Sequence, residues 1–571
     1  MKKTFQVDRN LLIFPVKESG ALKQVRILLD GAPLTYFDIP IDEEDPKPDG
    51  PRDFYGEFPV FSYRGKEITV EGDVPESFLE EVQLTDEPYL ASCGRPAAHF
   101  TPDHGWMNDP NGLIFDGEYY HLHFQHNPFG KAWGNMSWGH AASRDLLHWE
   151  QVESVLFPDE CGTMWSGSGI VDEQNTLGHG AGTKVLFYTA VRQEGAAGPE
   201  GAAGAEGVAG SAGTAGSEGA EATEGENGGH HTAVQCICYS PDGGRTYHKD
   251  GVIVPTYARL NRDPKVYMYE PGGYYYMVLY LNGSEFAILN STDLKNWTVT
   301  QRIELAPLWE CPDLFPLKDE RGDEVWVFMA ADGFYYTGYF DGQRFTPMGT
   351  VKQGFATAIP YAAQTFYGTP DRRILLPWLR LKDPEKPYTG AMGLPRELSL
   401  RTLENGPELV LSPIREYVRG AKTLYGGTPS GRVELPLEQG PAYGLYLSGA
   451  DFGLKLPSFT LELPGLTVEY HKDTLELMVD GVLDGHHDDT RMPKAESFAI
   501  DPEKPGTRTI RLKEALPSLF LLLDGNILEF TLNSGTSLWV LELKEENHQG
   551  TAVFTPEEEI SVTVDCFRRD A

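Results

Sequence analysis

The chain has 571 residues, 40% of them hydrophobic and 11% aromatic, enough apolar side chain for several cores, which excludes a disordered or fibrous class. Its 48 Lys and Arg stand against 84 Asp and Glu, a net charge of −36, so most of its surface repels nucleic acid and anionic lipid. No apolar run approaches the ~20 residues of a membrane span, so neither a nucleic-acid partner nor membrane insertion is expected.

Met1-Lys2-Lys3 leads into Thr4-Phe5-Gln6-Val7-Asp8, which is no apolar secretory core, and a cytoplasmic chain is expected. The six cysteines, Cys93, Cys161, Cys236, Cys238, Cys311 and Cys566, give neither a disulfide framework nor a zinc spacing, which fits a reducing compartment.

Apolar residues fall in short runs broken by Asp-Gly, Asn-Gly, Pro-Asp and Gly-Gly, which predicts an all-β chain with little helix. Residues 1–92 read as a small N-terminal β domain, with strands at Leu11 to Val16, Val25 to Leu29 and Glu67 to Val70, ending in the acidic stretch from Glu80 to Glu87. Beyond it, Gly112 to Phe124 and Val325 to Tyr336 each read as strand, Asp-Gly turn, strand. A weak repeat runs through Ser143-Arg-Asp145 to Trp149, Ser240-Pro-Asp242 to Tyr247, Ser291-Thr-Asp293 to Trp297 and, more loosely, Phe340-Asp341 to Phe345. A polar turn and an aromatic at intervals of about 50 residues are what a propeller of four-stranded blades requires.

The longer first interval holds an insertion, residues 194–229, with Gly at every third position from Gly195 to Gly219. The period is that of collagen. Pro199 is its only proline, however, and its ends must rejoin strands of one blade, so a flexible acidic loop is expected. The propeller spans 93–414. From 415 to 571, alternating runs such as Phe459 to Leu463, Leu466 to Tyr470 and Leu519 to Phe530 predict a C-terminal β-sandwich.

Four stretches of the central region are dense in chemistry. Gly105-Trp106-Met-Asn108-Asp109-Pro-Asn-Gly112 puts a carboxylate on a rigid turn beside an indole able to stack on a sugar, or is an Asx turn opening a hairpin. Asn261-Arg262-Asp263-Pro264 could clamp a hydroxylated ligand or be a turn with a surface ion pair. Trp309-Glu310-Cys311-Pro-Asp313-Leu-Phe315 sets a carboxyl between indole and thiol, surroundings that raise its pKa as a general acid needs; a hydrogen-bonded, half-buried Glu reads equally. Asp109, Asp263 and Glu310 are 154 and 47 residues apart, so in a propeller they come from different blades and meet only at the axial funnel, where a glycosidase pair becomes feasible. In Tyr120-His121-Leu-His123-Phe-Gln125-His126, alternation sets His121 and His123 on one strand face with His126 in the following turn, and structural or ligand-contacting histidines are favoured over a metal site.

Together, Trp106 to Gly112, Gln125 to Pro128, Trp133-Gly-Asn-Met-Ser-Trp-Gly-His-Ala141, Trp165-Ser-Gly-Ser168, Arg262 to Pro264, Trp309 to Phe315 and Leu394-Pro-Arg-Glu-Leu398 resemble the motif series of glycoside hydrolase family 32, the invertases, levanases and inulinases. The resemblance is collinear over residues 98–400. It implies a five-bladed β-propeller followed by a β-sandwich, and a retaining mechanism on β-fructofuranosides with carboxyl groups about 5 to 5.5 Å apart. Asp109 would be the nucleophile, Glu310 the acid and base, and Asp263 the residue that stabilises the transition state, with Arg262 fixing the neighbouring carboxylates. Asn108, Gln125, Trp133 and Ser168 match positions lining the fructose subsite, with Trp106 and Trp165 as further aromatic contacts. No metal or organic cofactor is implied.

The implied activity is exo-hydrolysis of terminal fructose from sucrose and short fructo-oligosaccharides. Fructosyl transfer, endo-attack on fructan and sugar binding without turnover are the alternatives. Two features depart from the family pattern. Ile359-Pro360 stands where many bacterial members have Asp-Phe before Tyr-Ala, removing a polar group near the substrate entrance. The leading domain is extra, and it could extend the cleft, pair protomers in a homo-oligomer or cover a propeller face.

Overall fold

In the computed structural model the described residues are 1–42, 53–89, 95–193, 231–258, 260–381, 385–404, 406–437, 442–449, 454–483, 498–500, 503–544, 550–558 and 562–569. The expected flexible insertion at 194–229 and Cys93 lie outside them. The chain is nearly all β, as its turn-punctuated apolar runs require, and its helices include the short Glu76–Glu81 and Arg415–Arg419.

The leading segment forms two sheets. One orders the strands Lys2–Gln6, Glu67–Gly72, Ala21–Leu29 and Ala32–Ile41; the other orders Phe54–Pro59, Leu11–Val16 and Gln83–Thr85. Their inward residues, among them Leu12, Phe14, Val16, Ile27, Phe37 and Val70, make one core. The acidic stretch is part of this fold: Glu80 and Glu81 end the helix, and Gln83–Thr85 pairs with Leu11–Ile13.

Five antiparallel meanders follow. The first strands of these sheets are Gly105–Phe115, Thr163–Asp172, Arg262–Tyr269, Asp313–Lys318 and Pro360–Thr365, and in each the following strands add outward. Buried hydrogen bonds join these inner strands into a ring. Asn111 Oδ1 accepts from Gly167 N (3.1 Å), and Ser168 Oγ donates to Pro264 O (2.7 Å) while accepting from Val266 N (3.1 Å). Tyr267 donates to Asp313 Oδ1 (3.1 Å), and Thr365 N donates to Asp313 Oδ2 (2.7 Å). Tyr367 closes the circle, its N–H donating to Leu113 O and its carbonyl accepting from Phe115 N.

The sequence repeat falls at one place in successive sheets, the turn between third and fourth strands. Asp145 accepts from Leu147 N and His148 N, Asp293 from Lys295 N and Asn296 N, and Asp341 from Gln343 N and Arg344 N. Trp149 and Trp297 donate their indole N–H to Leu146 O and Leu294 O, and those leucines sit at φ +69° and +64°. Each carboxylate thus satisfies turn amides that no strand can reach.

After the ring come a six-stranded sheet, which includes Ala442–Gly449, Ser518–Asp524 and Ile527–Leu532, and a seven-stranded one, which includes Phe459–Leu463, Leu466–His471 and Gly550–Pro556. Leu447, Leu521, Phe530 and Trp539 of the first pack on Leu461, Val468, Tyr470 and Phe554 of the second, giving a sandwich.

Candidate active site

Asp109 and Asp263 stand on the inner strands Gly105–Phe115 and Arg262–Tyr269, and Glu310 on the bend that leads into Asp313–Lys318; the three form one electrostatic cluster. Asp109 Oδ1 accepts from Asn108 Nδ2 (3.0 Å), and Oδ2 accepts from Ser166 Oγ (2.6 Å) and faces Cys311 Sγ (3.6 Å). Cys311 bridges two of the acids, because its backbone N–H donates to Asp263 Oδ2 (3.0 Å). Arg262 donates to Glu310 Oε1 and to Leu260 O (2.9 Å), holds its Nε 3.8 Å from Asp263 Oδ2, and lies over the Tyr280 ring. Tyr361 donates to Glu310 Oε2 (2.6 Å).

Three backbone positions of the cluster are left-handed: Asp263 at φ +62°, Glu310 at +55° and Cys311 at +38°. Non-glycine residues hold that region only where their surroundings impose it. Here the imposing contacts include Thr189 Oγ1, which accepts from Asp263 N (3.1 Å), and Ala331 N, which donates to the carbonyls of Trp309 and Glu310.

Burial raises the pKa of Asp109, the Glu310 charge adds to the rise, and the Ser166 and Asn108 hydrogen bonds oppose it. Burial also pushes Asp263 up to about 7 against the Arg262 charge. Glu310 departs from the expectation of a raised pKa: burial would lift it, but the Arg262 charge and the Tyr361 and Arg262 hydrogen bonds hold it below the usual range. An adjacent guanidinium outweighs the neighbouring indole and thiol.

Of the aromatic candidates, Trp106 reaches the cluster through Asn108, and Trp165 is the chain neighbour of Ser166. Trp106 donates its indole N–H to Asn108 Oδ1 (2.7 Å) and meets Trp378 edge-on, and Trp165 donates to Thr163 Oγ1 (3.0 Å). Trp133 is 55% exposed, perpendicular to Trp165 at 5.7 Å between ring centres. Gln125 is buried, donating to Met164 O (2.9 Å). Ser168 is also buried, with its hydroxyl engaged on Pro264 and Val266 as a strut between sheets; the serine on the nucleophile candidate is Ser166.

Sequence reading also passed over Asp332, buried beside this cluster. Its pKa rises to about 7 through burial and the Glu310 charge, and it accepts from Phe334 N (3.2 Å). Its surrounding Ala-Ala-Asp-Gly gave no motif signal. Ile359, at the departure from the family pattern, is packed in an apolar cluster with Phe315 and Phe355. Arg380 lies over the Tyr361 ring on that side and donates to Ala358 O.

His126 lies within the strand Tyr120–Asn127, not in a following turn, and its Nδ1 bonds Trp106 O (2.9 Å). His121 bonds Asp116 and His140, and His123 bonds Gly112 O. Burial lowers the pKa of all three. Among the described residues no group of three His, Cys, Asp or Glu is placed to hold a metal.

Paired carboxylates in unlike surroundings, ringed by indoles and amides, are equipped for nucleophilic and acid–base work on a neutral, hydroxyl-rich ligand, which is glycosidase chemistry. Known proteins agree with that class. The family model described as glycosyl hydrolases family 32 N-terminal domain matches residues 99–205 and 219–413, more than half of the chain. A levanase of Bacillus subtilis (strain 168) is 32% identical over 441 residues, which are 69% of this chain and 59% of the levanase. An extracellular exo-inulinase of Aspergillus niger is 31% identical over 400 residues, 60% of this chain and 68% of that protein. Among solved structures, an exo-inulinase from Aspergillus awamori superposes with TM-score 0.66 at 22% identity, covering 84% of this chain and 98% of that one. A family 32 glycoside hydrolase from Bifidobacterium adolescentis gives 0.63 at 18% identity and covers 100% of this chain and 99% of its own. The chain belongs to glycoside hydrolase family 32.

Proposed function

We propose that the chain is a retaining, exo-acting β-fructofuranosidase that removes terminal fructosyl residues from sucrose and short fructo-oligosaccharides. The observation that carries this reading is the meeting of Asp109, Asp263 and Glu310 around Arg262. The Asp109 carboxylate attacks the anomeric carbon to form a fructosyl ester while Glu310 protonates the departing oxygen. Glu310, now ionised, takes a proton from the water that attacks the same carbon, and Asp109 leaves. Asp263 hydrogen-bonds the sugar hydroxyls and offsets the oxocarbenium charge.

The acid must carry a proton when the substrate arrives. Burial favours the protonated form of the cluster's carboxyls, pushing Asp263 up to about 7, and a sugar that draws Arg262 away from Glu310 would remove the charge that holds that carboxyl low. The substrate is neutral, so the −36 charge of the chain does not oppose binding. The described cysteines Cys161, Cys236, Cys238, Cys311 and Cys566 are free thiols, which supports a cytoplasmic enzyme acting on imported sugars.

The test is time-resolved product analysis on sucrose, kestose, inulin and levan, with Asp109→Ala as blank. Free fructose from the start, fastest on the short substrates, is expected. Either Asp109→Ala or Glu310→Ala should reduce turnover by several orders of magnitude, on the order of 10³-fold or more. Oligosaccharides released from polymer, or transfer products without free fructose, would overturn the cleavage mode while keeping the carboxylate roles.

A further inference from the structure

We propose that the leading β unit is a positioning clamp for Trp133, through Phe129 and Asn135. The proposal rests on the reading of Trp133 as a wall of the fructosyl site, and concerns what holds that wall in place. Trp133 lies on the loop 128–136, between the strands Tyr120–Asn127 and Ser137–Ser143. Its indole is 55% exposed and meets the edge of Trp165, whose neighbour Ser166 donates to Asp109.

Both ends of the loop are held by the leading unit. On one side Phe129 is wholly buried in that unit's core, 5.5 Å from the Phe14 ring centre and 4.5 Å from that of Phe37. On the other, the Asn135 side chain accepts from Asp38 N (2.8 Å) and donates to Asp38 O (2.9 Å). It thereby replaces the partner an edge strand would otherwise offer to Ala32–Ile41. Asn135 sits at φ +46°, a conformation Asn tolerates better than most residues, and its amide also reaches Asn127 Oδ1 (3.0 Å). Lys131, within the loop, pairs with Glu18 at 3.3 Å.

A half-exposed indole on a surface loop would otherwise have to be ordered at each binding event, at a cost to affinity. Anchoring the loop two residues from the indole, in a unit outside the ring, removes that cost in advance. The leading unit thus acts on substrate affinity while Asp38, Phe14 and Phe37 need touch no sugar.

Asn135→Gly tests the clamp with the backbone conformation kept, because glycine adopts the left-handed region freely; the Asp38 pair and the bond to Asn127 are lost together. In the full chain, amide hydrogen exchange over residues 130–136 should quicken at least about tenfold. KM for sucrose and kestose should rise about tenfold with kcat little changed. Trp133→Ala should raise KM as much or more, and the double variant should be no worse than Trp133→Ala, since a missing indole cannot be mispositioned. Arg245→Ala, which removes a different contact between the leading unit and the ring, the Arg245 guanidinium 5.0 Å from the Phe61 ring centre, should change neither readout. Unchanged exchange in Asn135→Gly overturns the clamp whatever the activity. An effect of Asn135→Gly that adds in full to that of Trp133→Ala overturns it too. A wild-type chain inert on both sugars defeats the function reading instead, and leaves the exchange result to decide the clamp.

Discussion

Glu310 is held by donors of different kind, a guanidinium and a phenol among them, and each makes its own contribution to the carboxylate's charge. Arg262 cannot be removed without disturbing Asp263, but Tyr361→Phe deletes one hydrogen bond and leaves the ring under Arg380. That bond favours the ionised form of Glu310, so its loss raises the Glu310 pKa. If Glu310 must be protonated to act, the alkaline limb of the kcat/KM profile then moves to higher pH. A limb that stays or moves down would remove Glu310 from the acid role. The three acids were legible in sequence because each sits in a distinctive run of Trp, Asn, Pro and Gly. Ser166 was not: strict alternation from Trp165 favours neither serine, and the register shift between Trp165 and Gly167 decides which one meets Asp109. Asp332 was hidden for another reason, since what makes it unusual is burial near Glu310, and no local pattern encodes that.

That register shift shapes the candidate site. A bulge re-aims one side chain relative to its strand, and here it turns Ser166 onto Asp109 while Gly167 N bonds Asn111. A Cβ on Gly167 would lie 1.9 Å from Phe187 O and 2.8 Å from its carbonyl carbon, which are backbone atoms that cannot rotate away. Gly167→Ala should therefore lower the melting temperature and reduce turnover by more than the loss of the Ser166 hydroxyl in Ser166→Ala does; kinetics and calorimetry on the two variants check this. If Gly167→Ala is the milder variant, the bulge is not what aims Ser166. At this scale the sequence was most informative where chemistry is local: hairpin turns, the Ser-x-Asp repeat and the alternating strands of the sandwich. It was least informative about His126, because a two-residue period does not say where a strand stops.

At the scale of the whole molecule, the ring and the sandwich are joined through a buried charge cluster. Asp524 accepts from the backbone of Ala97, Ala98 and His99 and from His99 Nδ1 (2.7 Å). Glu529 takes Arg396 and lies 3.3 Å from His99 Nε2. Arg396 belongs to the Leu394-Pro-Arg-Glu motif that helps carry the family resemblance, but neither its role nor its partner, 133 residues away, could be read from that run. Burial opposes the charge on His99, but Asp524 and Glu529 outweigh it and raise the pKa to about 9; Glu529 is held near 2 chiefly by Arg396, against its burial. The His99 contribution is thus complete below its unfolded pKa of about 6.5 and is lost as pH rises through 9. The Glu529 contribution is complete above about 4.5 and is lost as pH falls through 2. Denaturant midpoints across that range should decline on both sides of a plateau, and His99→Ala should abolish the alkaline decline. Arg396→Met, which strands Glu529, should cost about 3 to 5 kcal/mol.

The closure of the ring also has a consequence for the order of events during synthesis. The edge of the first inner strand is covered in parallel by Tyr388–Thr389, against Gly105 and Trp106. The chain must therefore grow almost three hundred residues beyond Trp106 before the strand that carries Asp109 gains its last neighbour. The leading unit can assemble its own sheets long before that, apart from Phe129. On a ribosome its sheets would be paired while the ring is still to be made, and the Trp133 loop would complete its core with Phe129 as it emerges.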